Sequence, residues 1–376
     1  MIDPTLINGA KQGLENMLFL KKGDKACIVT DQATMIKTEN AFVEVANQIT
    51  GEKNVTVYVL EDSGERPLKK VPEGLEVAAK EADVTMFVAQ ALGEELETVR
   101  KPLIKTATKY GASHGHCPGF TSQMMSQGMA TDYKVVYALS SALKDILSGK
   151  HRFNITSEAG TNLIVDTLKH FPWLPSQPIA RGDYANLPDG EVFCFPADVN
   201  GTAVFDGCVG DNLAAKYRSI SGNPLYVQIQ NGMAVDIACP GNQGLKKDFR
   251  TYVLNLDGKR EFLTRRVGEF ALGTNLGVNI ITGNLLQDEK CGRAVHLAFG
   301  DPLDHSGTKA GYECKGHMDA LIVDPTVRAD GILIMENGLY TEKVMKAALQ
   351  HLPIGYHLAT GRDSHSGFSL RKLVSN

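Results

Sequence analysis

The sequence predicts an α/β amino-terminal domain built on a parallel sheet, followed by a mainly β (α+β) carboxy-terminal domain that carries a metal site. Three observations predict it. Strand-like and helix-like segments alternate through the first 150 residues. From Phe153 onward short β-like runs are separated by Gly, Asn and Asp. Between Gly268 and Val323 the side chains Glu269, Glu289, His296, His317 and Asp319 are interleaved with apolar runs.

In chain order, Lys25 to Thr30 reads as a short buried strand after a Gly-Asp turn, and Glu39 to Ile49 has apolar positions at helical spacing. Val55 to Leu60 is the next strand, Leu75 to Ala82 a helix, and Val84 to Ala89 another strand. Strands separated by helices of this length imply a parallel sheet with helices on its faces. The chain has no GxGxxG after the first strand and no GxxxxGK[ST], so it lacks a phosphate cradle. Gly111 to Gly115 matches GxSxG, but the elbow requires a preceding strand, and residues 100–110 look helical. His114, His116 and Cys117 fall in what reads as a Gly- and Pro-bounded loop without a further local ligand. Met124, Met125 and Met129 have near-helical spacing, suited to core or to an apolar contact surface.

Residues 134–147 continue as a helix that ends at Ser148-Gly149. The domain boundary is expected near 150, giving an α/β domain over 1–150 and a metal-binding catalytic domain over 151–376. In the second domain Asn231-Gly232 and Asn337-Gly338 sit between β-like runs, a strong hairpin signal. A helix is expected near Glu261 to Val267 and another from Glu342 to Leu352.

Composition narrows the classes of function. The 376 residues are 43% hydrophobic and 22% charged, with a formal net charge of -4. No basic cluster is interleaved with aromatics, so no nucleic-acid partner is expected. No stretch approaches a membrane span and no basic, apolar leader opens the chain. The seven cysteines are scattered without CxxC, which fits a reduced cytoplasmic protein.

The chemistry lies in the cluster. In a strand, side chains two apart point the same way, so His317 and Asp319 should share one pocket with Met318 on the opposite face. A His and a carboxylate aimed together out of an apolar strand are costly to bury without a partner, and a divalent cation supplies one. Glu191, delivered by a turn to the start of an apolar strand, adds a further carboxylate. If Glu191, Glu269, Glu289 and Asp319 converge, four negative charges meet in one place, and two divalent ions would balance them. Oxygen and nitrogen donors without thiolate suit zinc, cobalt or manganese.

The stretches LPDGEVFCFP, GEFALGTN, DEKCGRAVHLAFGD and GHMDALIVDP, in that order, resemble the aminopeptidase T family of metallo-aminopeptidases, also called the thermophilic metalloprotease family. The resemblance implies that Glu191, Glu269, Glu289, His296, His317 and Asp319 are metal ligands. It also implies an amino-terminal α/β domain, a two-metal carboxy-terminal domain and a homodimer. The substrate would be a small peptide or amide, with Glu269 favoured as the general base. Two departures stand out. A tyrosine that some members carry a few residues after the position of His296 is missing, with Tyr312 or His305 as candidate substitutes. The spacing from Glu289 to His296 also differs from the best-known members. The alternative is a mononuclear iron dioxygenase. Dihydroxypyridine ring-cleaving dioxygenases look like distant relatives with a similar His-x-Asp, although they carry histidine at the position of Glu269. A third reading is a binding module whose metals only hold the β domain together.

Overall fold

The computed structural model describes residues 2–38, 40–255, 261–302, 310–314, 316–353 and 356. Two compact units emerge. One contains the chain up to residue 134 together with 177–189; the other contains 135–176 and the described residues from 190 on. Residue 150 falls just beyond the Tyr133–Leu147 helix, whose Leu139, Leu143 and Leu147 are buried in the core of the second unit.

The first unit holds a five-stranded parallel sheet. Its spatial order is Val55–Val59, Ala26–Thr30, Val84–Ala89, Ser113–Pro118, Tyr184–Asn186. Helices Ala41–Thr50, Glu73–Glu81 and Lys101–Lys109 connect the first four strands, as the alternation of periods requires. The fifth strand comes from the returning segment, too short to announce itself in sequence. His114, His116 and Cys117 lie on a buried strand rather than in the expected loop. His114 Nδ1 lies 2.7 Å from Thr85 Oγ1, and burial pushes its imidazole down to about 3. The Gly111–Gly115 pattern runs from a helix into a strand, the reverse of a nucleophile elbow, and Ser113 Oγ donates to the Ala180 carbonyl at 3.1 Å. Met124, Met125 and Met129 are fully buried within the chain, so they are core and supply no contact surface.

The second unit contains an eight-stranded antiparallel sheet. Its order is Met233–Ala238, Leu225–Gln230, Asp198–Phe205, Asn162–Asp166, Arg152–Thr156, Thr326–Ala329, Ile332–Glu336, Leu339–Tyr340. A five-stranded antiparallel sheet has the order His317–Val323, Ala294–Gly300, Val267–Gly273, Glu191–Cys194, Leu174–Pro175. Residues of both sheets share one hydrophobic core. Asn231-Gly232 and Asn337-Gly338 turn with positive φ at both residues, the geometry their hairpins need. The helix expected near 261 ends at Thr264, and Val267 already belongs to a strand. No described helix is long and apolar enough to cross a membrane.

Candidate metal centre

The five-stranded sheet assembles the cluster through strand register. Ala298 stands opposite both Glu269 and Asp319, and Ala271 stands opposite His296. Gly273 pairs with Glu191, and Gly300 with His317. Alternation then puts Glu191, Glu269, His296, His317 and Asp319 on one face. The other face carries Val192, Phe270, Leu272, Val295, Leu297, Phe299 and Met318, all in the core. The driving force is ordinary burial of this apolar face, and the polar face is carried along by the period of two.

Small residues open space around the donors. Ala271, Gly273, Ala298 and Gly300 occupy the intervening positions on the same face. Gly300 adopts φ +106, and a Cβ there would stand 2.0 Å from the Gly316 carbonyl oxygen, so no larger residue fits beside His317. A bulge between Val267 and Glu269 re-aims the strand just before its carboxylate.

Two three-residue donor groups result, Glu191 with Glu269 and His296, and Glu269 with His317 and Asp319. Within each, the candidate ligand atoms lie within 4.8 Å of one another. Glu269 belongs to both. Its Oε1 is 3.0 Å from His296 Nε2 and its Oε2 is 3.8 Å from His317 Nε2. His317 Nε2 lies 3.2 Å from Asp319 Oδ1. On its other side His317 Nδ1 is 2.7 Å from the Asp301 carbonyl oxygen. A carbonyl can only accept, so Nδ1 carries the proton and a neutral ring turns the Nε2 lone pair toward the carboxylates. Glu191 Oε2 and His296 Nδ1 are buried without a hydrogen-bond partner.

Glu289 arrives differently, just past the short helix Leu285–Asp288 rather than on a strand, and it belongs to neither group. Sequence reasoning missed its neighbour. Lys290, with a side chain only 5% exposed, places Nζ 2.5 Å from Glu191 Oε1 and 2.8 Å from Glu289 Oε1. The signal was present as a lysine beside a glutamate in an apolar stretch, but it reads equally as a surface pair. Of the candidate substitutes for the missing tyrosine, His305 lies outside the described residues. The Tyr312 hydroxyl donates to the Gly300 carbonyl at 2.8 Å.

The electrostatics of this cluster show what it lacks. Burial opposes charge on His296, but the Glu269 hydrogen bond and the charges of Asp319 and Glu191 outweigh it and push the imidazole up to about 9. His317 is partly buried, which opposes its charge, but Asp319 outweighs this and raises it to about 10. Burial pushes Glu289 up to about 8 against the pull of Lys290. Burial also opposes ionisation of Asp319, but His317 and His296 hold it well below the usual carboxylate range. Protons and Lys290 balance the acids where no other cation does. The donors fit divalent ions: they are oxygen and imidazole atoms, one carboxylate oxygen is buried and unpartnered, and one ring is held in the ligating tautomer.

A family profile described as thermophilic metalloprotease (M29) matches residues 121–348, more than half of the chain. The chain belongs to this family. It is therefore a member of a family of metal-dependent proteases, and all six expected ligands fall inside the matched segment. Among solved structures, wild-type AmpT from Thermus thermophilus is similar with a TM-score of 0.64 at 19% identity, covering 90% of this chain and 99% of that one. The 2,5-dihydroxypyridine dioxygenase from Pseudomonas putida KT2440 is similar with a TM-score of 0.62 at 13% identity, covering 89% and 96%. At such identities the likeness establishes the fold alone. Comparison with curated protein sequences gives no match.

Proposed function

We propose that this M29 member is a metallo-aminopeptidase that uses two divalent ions, zinc, cobalt or manganese, to cleave small peptides or related amides. The observation that carries the reading is the pair of donor groups sharing Glu269 on one buried sheet face. Glu191, Glu269 and His296 would hold one ion, and Glu269, His317 and Asp319 the other. Glu289 completes the ligand set expected from the family. Charge arithmetic supports the count. Four carboxylates and Lys290 sum to -3 with neutral imidazoles, so two divalent ions give +1 and leave room for one added anion. Bound there, the ions would supply Lewis-acid polarisation of the scissile carbonyl and a water of lowered pKa.

The chain's own residues divide the remaining work. Glu269 is the sequence-based choice for the base that takes the water's proton. Its position in both groups would make it a ligand as well, with few lone pairs to spare. Glu289, outside both groups and beside Lys290, is the competing base. Glu289→Gln separates the two: turnover lost with both ions retained assigns the base to Glu289, and near-wild-type turnover leaves it with Glu269. The catalytic domain is taken as residues 151–376, and the working form as a cytoplasmic homodimer. Six of the seven cysteines are buried thiols, which supports the reducing compartment, and sedimentation tests the dimer.

A second reading, a mononuclear iron dioxygenase, draws on His296, His317 and Asp319, which converge as two imidazoles and a carboxylate. Glu269 and Glu191 argue for the hydrolytic centre. One preparation decides. Protein stripped with chelator and reloaded separately with zinc, cobalt, manganese or iron(II) should bind about two ions per chain and release amino-terminal residues from short peptides. One iron per chain, with oxygen uptake on dihydroxylated aromatics and no peptide cleavage, would install the dioxygenase instead.

A further inference from the structure

We propose that Lys290 is a resident cation of the centre that makes its two ion positions unequal, weakening the one built from Glu191, Glu269 and His296. The inference rests on the two-ion reading above. A cluster meant to collect divalent ions gains nothing obvious from a buried ammonium, because like charges repel most strongly where water is excluded. Yet Lys290 is almost wholly buried and sits against two of the four carboxylates. Its Nζ engages Glu191 through Oε1. That leaves Glu191 Oε2, 3.5 Å from His296 Nε2 and without a hydrogen-bond partner, as the oxygen available to an ion. Glu191 can then ligate through one oxygen only, beside a fixed positive charge.

The other position is built more favourably. His317 is locked in its ligating tautomer by the Asp301 carbonyl, and Asp319 faces it at 3.2 Å. The ammonium offsets one of the carboxylate charges beside it, so the centre needs fewer added cations to be tolerable when an ion leaves. The position nearest Lys290 is the one expected to fill last and empty first.

The test is a zinc titration of chelator-stripped full-length protein against a competing chelator, comparing wild type with Lys290→Met, Lys290→Gln and Lys290→Arg. Wild type should take up two ions in unequal steps. In the neutral variants the weaker step should tighten at least tenfold while the stronger step moves less, and Lys290→Arg should resemble wild type. Circular dichroism identifies the folded variants, and either neutral one suffices. Two ions bound with the weaker step unchanged or loosened in a folded neutral variant would overturn the assignment. One ion in wild type and in the neutral variants alike would overturn the two-ion reading, and this inference with it.

Discussion

The molecule buries two clusters of acids around a base, and they are built to opposite ends. In the first unit, Arg66 lies between Asp31 and Glu95 with side-chain exposures of 6%, 0% and 0%. Asp31 follows the Ala26–Thr30 strand at its carboxyl end, and Oδ2 accepts from Arg66 Nη1 at 2.8 Å and from the Gln90 amide. Its Oδ1 accepts from the Thr34 amide at 2.7 Å. Glu95 Oε1 accepts from Arg66 Nε at 3.0 Å and from the Leu68 amide at 2.9 Å, and Oε2 from Arg66 Nη2. Every carboxylate oxygen there has a donor. In the second unit Lys290 pairs with only two of the four carboxylates, the buried Glu191 Oε2 has no hydrogen-bond partner, and the surrounding acids push both imidazoles up. The closed cluster ties Asp31 to Gln90 through Arg66 at the carboxyl ends of the neighbouring strands Ala26–Thr30 and Val84–Ala89, the edge where open parallel sheets usually bind ligands. Burial alone thus does not mark a site. A shortage of donors does.

The sharpest way to break this contrast is Glu269→Gln. Removing the carboxylate common to both donor groups should lower turnover on peptides by about 10²-fold or more, whether it acts as ligand or base. The stripped protein should be as stable as wild type or more so, because one of several crowded buried charges has gone. Thermal unfolding of the chelated protein checks this. A marked loss of stability without metal would mean that this cluster is closed after all.

The converse variant is Arg66→Met. It strands Asp31 and Glu95 in the interior, and breaking a buried pair in this way costs about 3–5 kcal/mol. Zinc stoichiometry should not change. Acid gives the same network a second signature. Burial opposes ionisation of Asp31, but the Gln90 and Thr34 amides and Arg66 together hold its carboxyl below the ordinary value. A carboxyl depressed in the folded state stabilises above its unfolded pKa, near 3.9, and that contribution fades as pH falls toward the folded value. Wild type should therefore lose stability more steeply below about pH 4 than Asp31→Asn, measured by denaturant unfolding across the acid range. Parallel slopes would show that Asp31 contributes no such linkage.

The contrast also explains what the sequence could reveal. His317-Met-Asp319 declared its shared face through the period of a strand, and the Asn-Gly pairs declared their hairpins, because both signals are local. Register was not local. Nothing near Glu191 says that it stands opposite Gly273, nor that Ala298 separates Glu269 from Asp319. The family resemblance gathered those residues where spacing could not. Lys290 and the Arg66 network stayed hidden because a charged residue beside another charged residue reads the same on a surface as in a core. The Tyr184–Asn186 strand was hidden by its length and by its return to a sheet formed long before it in the chain.

The smallest expected effect concerns Tyr312, a candidate for the tyrosine this chain lacks after His296. A residue that polarises a substrate carbonyl needs a hydroxyl free to donate. Here the hydroxyl donates to the Gly300 carbonyl, on the residue that pairs with His317, and the ring packs near Arg266 and Phe195. Those contacts describe a brace at the end of the Ala294–Gly300 strand. Tyr312→Phe should remove one hydrogen bond, lowering stability by about 1 kcal/mol, and change kcat by no more than about threefold. The brace also steadies His317 through its strand partner, so a small rise in KM with kcat retained fits it. A fall in kcat of about tenfold or more at unchanged KM, the signature of a contact made only in the transition state, would instead make Tyr312 the polarising residue.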